Sequence, residues 1–60
     1  MSHQAAVAAE FIKGQVGMAK AGVITEAAAR SAADLALKHL SPADRQEATA
    51  ILAAEAQHRR

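Results

Sequence analysis

Ala21-Gly22-Val23-Ile24-Thr25-Glu26 is the stretch that decides how many helices this chain forms. Gly22 can adopt the left-handed conformation that closes a helix, because it has no Cβ atom. Thr25 can then cap a second helix, and Glu26 is favourable in the first turn of that helix. The stretch predicts a break between two helices, with Val23 and Ile24 tucked beneath both as the apolar part of the turn.

A second break is predicted at Ser41-Pro42-Ala43-Asp44. Serine is a favoured N-cap, proline suits the first helical position, and Asp44 faces the positive end of the helix dipole. Since alanine occupies 18 of the 60 positions and no alternating apolar run appears, we expect an all-α fold. The predicted single domain, 1–60, is a small bundle of three helices at about 3–21, 25–40 and 42–58. The alternative is a two-helix hairpin, in which the first helix continues through Gly22.

Bulky apolar side chains are too few for a self-sufficient core. Only twelve internal positions hold an apolar residue larger than alanine, and there is no cysteine that could form a disulfide. Chains this short usually need disulfides, a metal or oligomerisation for stability. We therefore expect dimerisation or a partner chain to complete the bundle.

The first helix carries more apolar surface than one neighbouring helix can cover. A coiled-coil-like stripe with 4-3-4-3-4 spacing runs from Ala5 to Val23, and further apolar residues lie beside it. Part of this surface is expected to be an interface with another chain. The residues predicted to form that interface are Val7, Phe11, Ile12, Val16 and Met18.

Catalytic chemistry has few candidate residues. There is no Cys, Tyr or Trp, and the three histidines have no neighbours at metal-ligand spacing. Three of the six acids have a basic residue four positions later, which is typical of a solvated helix face; the pairs are Glu26–Arg30, Asp34–Lys38 and Glu55–Arg59. We expect a non-enzyme with no catalytic residues, no metal and no cofactor.

The charge balance also argues against a strong electrostatic partner. Seven Lys/Arg against six Asp/Glu give a formal charge of +1, too little for an obvious nucleic-acid or membrane surface. No apolar run is long enough to span a bilayer, and no basic segment precedes an apolar one at the start of the sequence. We expect a cytoplasmic protein without membrane contact.

Two short segments are similar to nucleic-acid binders. Ala21-Gly22-Val23, followed by Arg30, resembles the core of the helix-turn-helix found in many bacterial repressors, with a recognition helix from Thr25. The resemblance implies that DNA contacts would come from Arg30, Ser31 and Lys38 on that helix, and Lys20 is a further candidate nucleic-acid contact. The helix after the turn, however, begins with Glu26 and three alanines, which leaves few side chains to neutralise phosphates.

The second segment is Phe11-Ile12-Lys13-Gly14-Gln15, which resembles part of the Rop family of plasmid copy-number proteins. These are dimeric bundles of helical hairpins that bind paired RNA loops. The resemblance implies RNA contacts at Phe11 and Gln15, with His3 and Lys13 as accompanying basic contacts. After Gln15 the sequence departs from the family pattern.

The small number of candidate catalytic residues and the wide apolar surface of the first helix together favour one function. We expect a small interaction or regulatory protein that acts through protein–protein contacts, as a homodimer that also binds another protein. The alternatives are a compact helix-turn-helix DNA-binding regulator and a Rop-like RNA-binding bundle.

Overall fold

The chain folds into three helices in the computed structural model, which describes residues 2–58 and the side chains of residues 2–57. Helix α1 spans His3–Lys20, α2 spans Glu26–Lys38 and α3 spans Pro42–His58. The described residues contain no strand. The predicted fold class and number of helices are confirmed, and the two-helix hairpin is wrong. The predicted ends of α1 and α2 were one or two residues too long.

Gly22 ends α1 through its backbone conformation. Its φ is 80°, in the left-handed region, and its amide donates to the carbonyl of Ala19 at 3.1 Å. The amide of Val23 donates to the carbonyl of Met18 at 2.9 Å. These two bonds form a Schellman motif, which satisfies carbonyls at the helix end and reverses the chain. Val23 is not tucked beneath the helices as expected, because 69% of its surface is exposed.

Side-chain caps begin α2 and α3 as the sequence predicts. The hydroxyl of Thr25 accepts from the amide of Ala28 at 3.1 Å, and that of Ser41 accepts from the amide of Asp44 at 3.2 Å. The guanidinium of Arg45 donates back to the carbonyls of Leu37 and Leu40, at 3.1 and 3.4 Å. The hydrogen bonds of Ser41 and Arg45 therefore stabilise the turn between α2 and α3.

Helix α1 lies between the other two helices and packs against both, whereas α2 and α3 barely touch each other. Helix α2 runs antiparallel to α1. Helix α3 runs parallel to α1, because Glu47 accepts from the amide of Ser2 at 2.6 Å and Glu55 accepts from Lys13 at 2.9 Å. The arrangement corresponds to three corners of a four-helix bundle, with the corner diagonal to α1 open.

The interior is built almost wholly from alanine. The buried apolar residues of the described chain are Ala5, Ala8, Ala9, Ile12, Ala29 and Ala48, and no large side chain is fully enclosed. Small side chains let the helix backbones approach closely, but each contributes little apolar area. Because burial stabilises in proportion to apolar area, this core provides only limited stabilisation.

The molecule is also less compact than its mass allows. It exposes 4400 Å², whereas a compact monomer of 6.2 kDa exposes about 3700 Å². Its radius of gyration is 11.3 Å, against about 10.4 Å for a compact chain of this length. Within the described residues, no helix is long and apolar enough to cross a membrane.

Candidate protein-binding surfaces

The most apolar exposed surface is a groove between the first half of α1 and the second half of α2. This α1–α2 groove has a volume of about 680 Å³, and large side chains such as Phe11 and Leu35 stand in it 47% and 58% exposed. No Lys, Arg, Asp or Glu lines it. Its lining residues are His3, Gln4, Val7, Ala8, Phe11, Ala32, Leu35, Ala36, His39 and Leu40.

A ridge on α1 continues the wall of this groove. Val7, Phe11, Gly14 and Met18 follow a 4-3-4 spacing, which places them on one side of a helix with 3.6 residues per turn. All four residues are exposed. A Cβ atom added at Gly14 would meet nothing within 4 Å, so this glycine serves no close packing within the chain. The ridge is therefore free to meet another molecule, and its backbone is most accessible at Gly14.

The structure divides the five predicted interface residues between three environments. Val7, Phe11 and Met18 lie on the exposed ridge. Ile12 is 5% exposed and does not lie on the ridge; it points inward because it follows the spacing of buried Ala5 and Ala9. Val16 is 39% exposed but lies on the opposite side of α1, about 140° around the helix from Phe11.

Sequence reasoning missed the contribution of α2 to the groove. Leu35 and Leu40 of α2 complete the apolar lining of the groove, and Leu35 is 58% exposed. Apolar spacing shows which residues of one helix share a face, but it does not show which face of α1 that helix adjoins. The antiparallel pairing of α1 and α2 supplies this information.

A second cavity system opens where α2 and α3 diverge. Two cavities of about 330 and 390 Å³ adjoin there and share Val16 and Lys20 of α1. We call them together the α2–α3 cleft. The α2 wall consists of Glu26, Ala29, Arg30 and Ala33, the α3 wall of Leu52, Glu55 and Ala56, and the remaining α1 residues are Ile12, Lys13 and Ala19.

The charges of the cleft are unevenly paired. The Nζ atom of Lys13 lies 2.9 Å from Glu55 and 3.2 Å from Glu10. Hydrogen bonds, first to Glu55 and then to Glu10, raise the pKa of the Lys13 ammonium above its ordinary value. Among the side chains of residues 2–57, every ion pair closer than 4.0 Å involves Lys13. Lys20 and Arg30 are exposed cations with no described carboxylate at that distance.

Three of the residues predicted as nucleic-acid contacts lie in the α2–α3 cleft. Lys13, Lys20 and Arg30 line the α2–α3 cleft, whereas Gln15 is half-buried and lines none of the cavities described above. Helices α1 and α2 pack along their whole lengths as an antiparallel pair, whereas the two helices of a helix-turn-helix cross at about 90–120°. Phe11 is exposed on the opposite side of α1 from Lys13 and Lys20. Phe11 and the three cations therefore do not form one surface.

Groups that could support catalysis or hold a metal ion are scattered. Within the described residues, no three His, Asp or Glu side chains come close enough together to coordinate a metal ion. His3 and His39 both line the α1–α2 groove, where the remaining lining residues are apolar except for Gln4. The groove therefore offers a mainly apolar surface for packing.

Similarity to known proteins adds no assignment. The chain matches no protein-family model, and neither a curated protein nor a solved structure is significantly similar to it. The function must therefore be argued from the two surfaces themselves.

Proposed function

We propose that the chain is a non-catalytic interaction protein that works as a homodimer, joined through the α1–α2 groove and the ridge beside it. The observation that carries the proposal is the continuous exposed apolar surface formed by Val7, Phe11 and Leu35. An exposed apolar patch beside a groove is typical of a protein–protein interface. The dimer would then present its remaining surfaces to another protein.

The lack of formal charge favours a second copy as the occupant of this surface. A two-fold interface brings the same patch of both subunits together, so like charges within the patch would face one another. The groove avoids this repulsion, because no Lys, Arg, Asp or Glu lines it. Gly14 in the ridge would let the two α1 backbones approach closely.

The amount of surplus surface agrees with this mode of association. The chain exposes about 700 Å² more than a compact monomer of its mass. Each partner in a standard protein interface buries about 800 Å². One interface of ordinary size would therefore cover the surplus and bury the bulky side chains that the alanine core leaves outside.

Nucleic-acid binding has weaker physical support. Lys20 and Arg30 are the cations of the cleft that have no carboxylate partner among the described residues, and the formal charge of the chain is only +1. Affinity for DNA or RNA comes largely from neutralising several phosphates. A mobility-shift assay at low salt tests this alternative, and a salt-dependent shift would favour it over protein binding.

Sedimentation equilibrium across a range of micromolar concentrations tests the proposal directly. We expect the average mass to rise with concentration towards that of two chains, and thermal stability to rise with it, because association stabilises the folded state. A mass of 6.2 kDa at every concentration, together with a cooperative unfolding transition that does not depend on concentration, would refute the homodimer.

A further inference from the structure

We propose that the α2–α3 cleft binds an acidic amphipathic helix of a partner protein, which occupies the open fourth corner of the bundle. This inference goes beyond the proposed homodimer, because the cleft and the α1–α2 groove lie on opposite sides of α1. Val16 and Lys20 project about 140° and 180° from Phe11 around that helix.

The packing of the three helices defines the shape of the occupant. Helix α1 contacts both α2 and α3, which barely touch each other, so these two helices do not cover the face of α1 that carries Val16 and Lys20. The two cavities of the cleft share Val16 and Lys20 and together measure about 700 Å³ along this space. In a four-helix bundle the position diagonal to α1 is filled by a helix that contacts both flanking helices.

The walls of the cleft suit a helix with an apolar face. Ala29 and Ala33 from α2 face the cleft on one side, and Leu52 and Ala56 from α3 face it on the other. Small residues permit an interaxial distance at the short end of the usual range of about 8–10 Å. Val16 forms the floor and remains 39% exposed in the isolated chain. A partner helix would bury this apolar floor between two walls that already exist.

The charges at the rim select an acidic partner. Lys20 and Arg30 have no carboxylate within 4.0 Å among the described residues, whereas the third cation of the cleft, Lys13, is paired twice. Glu55 is the acceptor of one of those bonds and Glu26 lies in the first turn of α2, where the helix dipole favours a carboxylate. Glutamate or aspartate on the flanks of the partner helix would pair with Lys20 and Arg30 and complete the neutralisation.

The cleft favours a protein helix over a nucleic acid. Its walls are aliphatic, and no aromatic side chain lines either cavity to stack on a base. Two unpaired cations neutralise few phosphates, but both line the same cavity, where carboxylates on a bound helix could pair with them. An apolar groove that receives the apolar face of an amphipathic helix is a recurring mode of protein recognition.

Two synthetic amphipathic peptides of identical length provide the test. Both carry leucine and alanine on one face; one has glutamate on its flanks and the other has lysine. Each peptide would be titrated into the isotope-labelled protein, and binding would be followed by the NMR chemical shifts of the backbone amides. The acidic peptide should shift residues facing the cleft, such as Val16, Ala33 and Leu52, and should bind at least about tenfold more tightly than the basic one.

Charge reversal supplies the matched controls. The paired changes Lys20→Glu and Arg30→Glu should reverse the preference between the peptides, while Lys38→Glu, at an exposed cation that lines neither the cleft nor the groove, should leave it unchanged. Equal affinity for both peptides, shifts confined to the α1–α2 groove, or tighter binding of a single-stranded oligonucleotide at Lys20 and Arg30 would overturn the proposal. These outcomes are independent of the homodimer, which is judged by mass.

Discussion

The Nζ atom of Lys13 lies 2.9 Å from Oε1 of Glu55, so this ion pair joins the middle of α1 to the last turns of α3. The same ammonium bonds to Glu10 at 3.2 Å. Because Glu55 is 42 residues away in the chain and Glu10 only three, the bond to Glu55 contributes to tertiary structure, whereas the bond to Glu10 stabilises α1 alone. Together with the hydrogen bond from the Ser2 amide to Glu47, the pair joins α3 to α1 in a parallel orientation.

The alkaline stability of the protein should depend on this ion pair. The pKa of Lys13 is raised in the folded state above the ordinary 10.5, mainly by its hydrogen bond to Glu55. The stabilisation is therefore complete below about pH 10.5 and is lost as the pH rises through the folded-state pKa. We expect Glu55→Gln to lower the melting temperature at pH 8 and to flatten its decline at higher pH.

Glu10→Gln is the control for this titration. Glu10 is 73% exposed and contacts the same ammonium within one helix, so its loss should change the alkaline decline less than Glu55→Gln does. Thermal unfolding followed by circular dichroism across the alkaline range gives the comparison. Equal effects of the two substitutions would show that the bond between α1 and α3 is not the stabilising one.

Ala48 tests whether close helix approach forms the core. Its side chain is fully buried on the face of α3 that packs against α1, so Ala48→Leu should force the helices apart. We expect a loss of about 1–3 kcal/mol in the free energy of unfolding, the usual cost of overpacking. Ala50→Leu, at an exposed position of the same helix, should change stability by less than about 0.5 kcal/mol. Urea denaturation measures both, and equal values would contradict an alanine-packed interior.

Gly22 and Gly17 should respond oppositely to alanine. A Cβ atom at either position meets nothing within 4 Å, so only backbone conformation distinguishes them. Gly22 has a φ of 80°, and Gly22→Ala should cost about 1–2 kcal/mol of stability. Gly17 lies inside α1, where Gly17→Ala should stabilise by about 0.5–1 kcal/mol. A stabilising Gly22→Ala would show that the Schellman turn is not what ends α1.

Local chemistry explains why the helices were predictable and their surfaces were less so. Gly22 acts through its backbone, and Thr25 and Ser41 act through side-chain hydroxyls that accept from backbone amides. All of these hydrogen bonds join residues at most four positions apart, so their effects can be recognised in the sequence. Spacing within α1 places Ile12 on the same face as Ala5 and Ala9, but it does not show that this face is the buried one. The burial of that face and the pairing of Glu55 with Lys13 depend on where α3 lies. The expected Glu55–Arg59 pair lies outside the described residues.

Phe11→Asp should dissociate the proposed homodimer. Phe11 is 47% exposed in the single chain and lines the α1–α2 groove, so a carboxylate there would be desolvated on association with no Lys or Arg in the groove to pair with it. We expect the dissociation constant to rise at least about tenfold, which corresponds to about 1.4 kcal/mol. Sedimentation equilibrium measures the change, and circular dichroism checks that the helices persist.

Val23→Asp supplies the matched control, because it makes a similar apolar-to-acid change at a residue that is even more exposed. Val23 lies in the turn after α1, is 69% exposed and lines neither the groove nor the cleft. Its contribution to the turn is the backbone amide bonded to Met18, which aspartate retains. The dissociation constant should therefore stay close to that of the wild type. If both substitutions weakened association equally, the added negative charge of the chain would account for the effect. The α1–α2 groove would then not be the dimer interface.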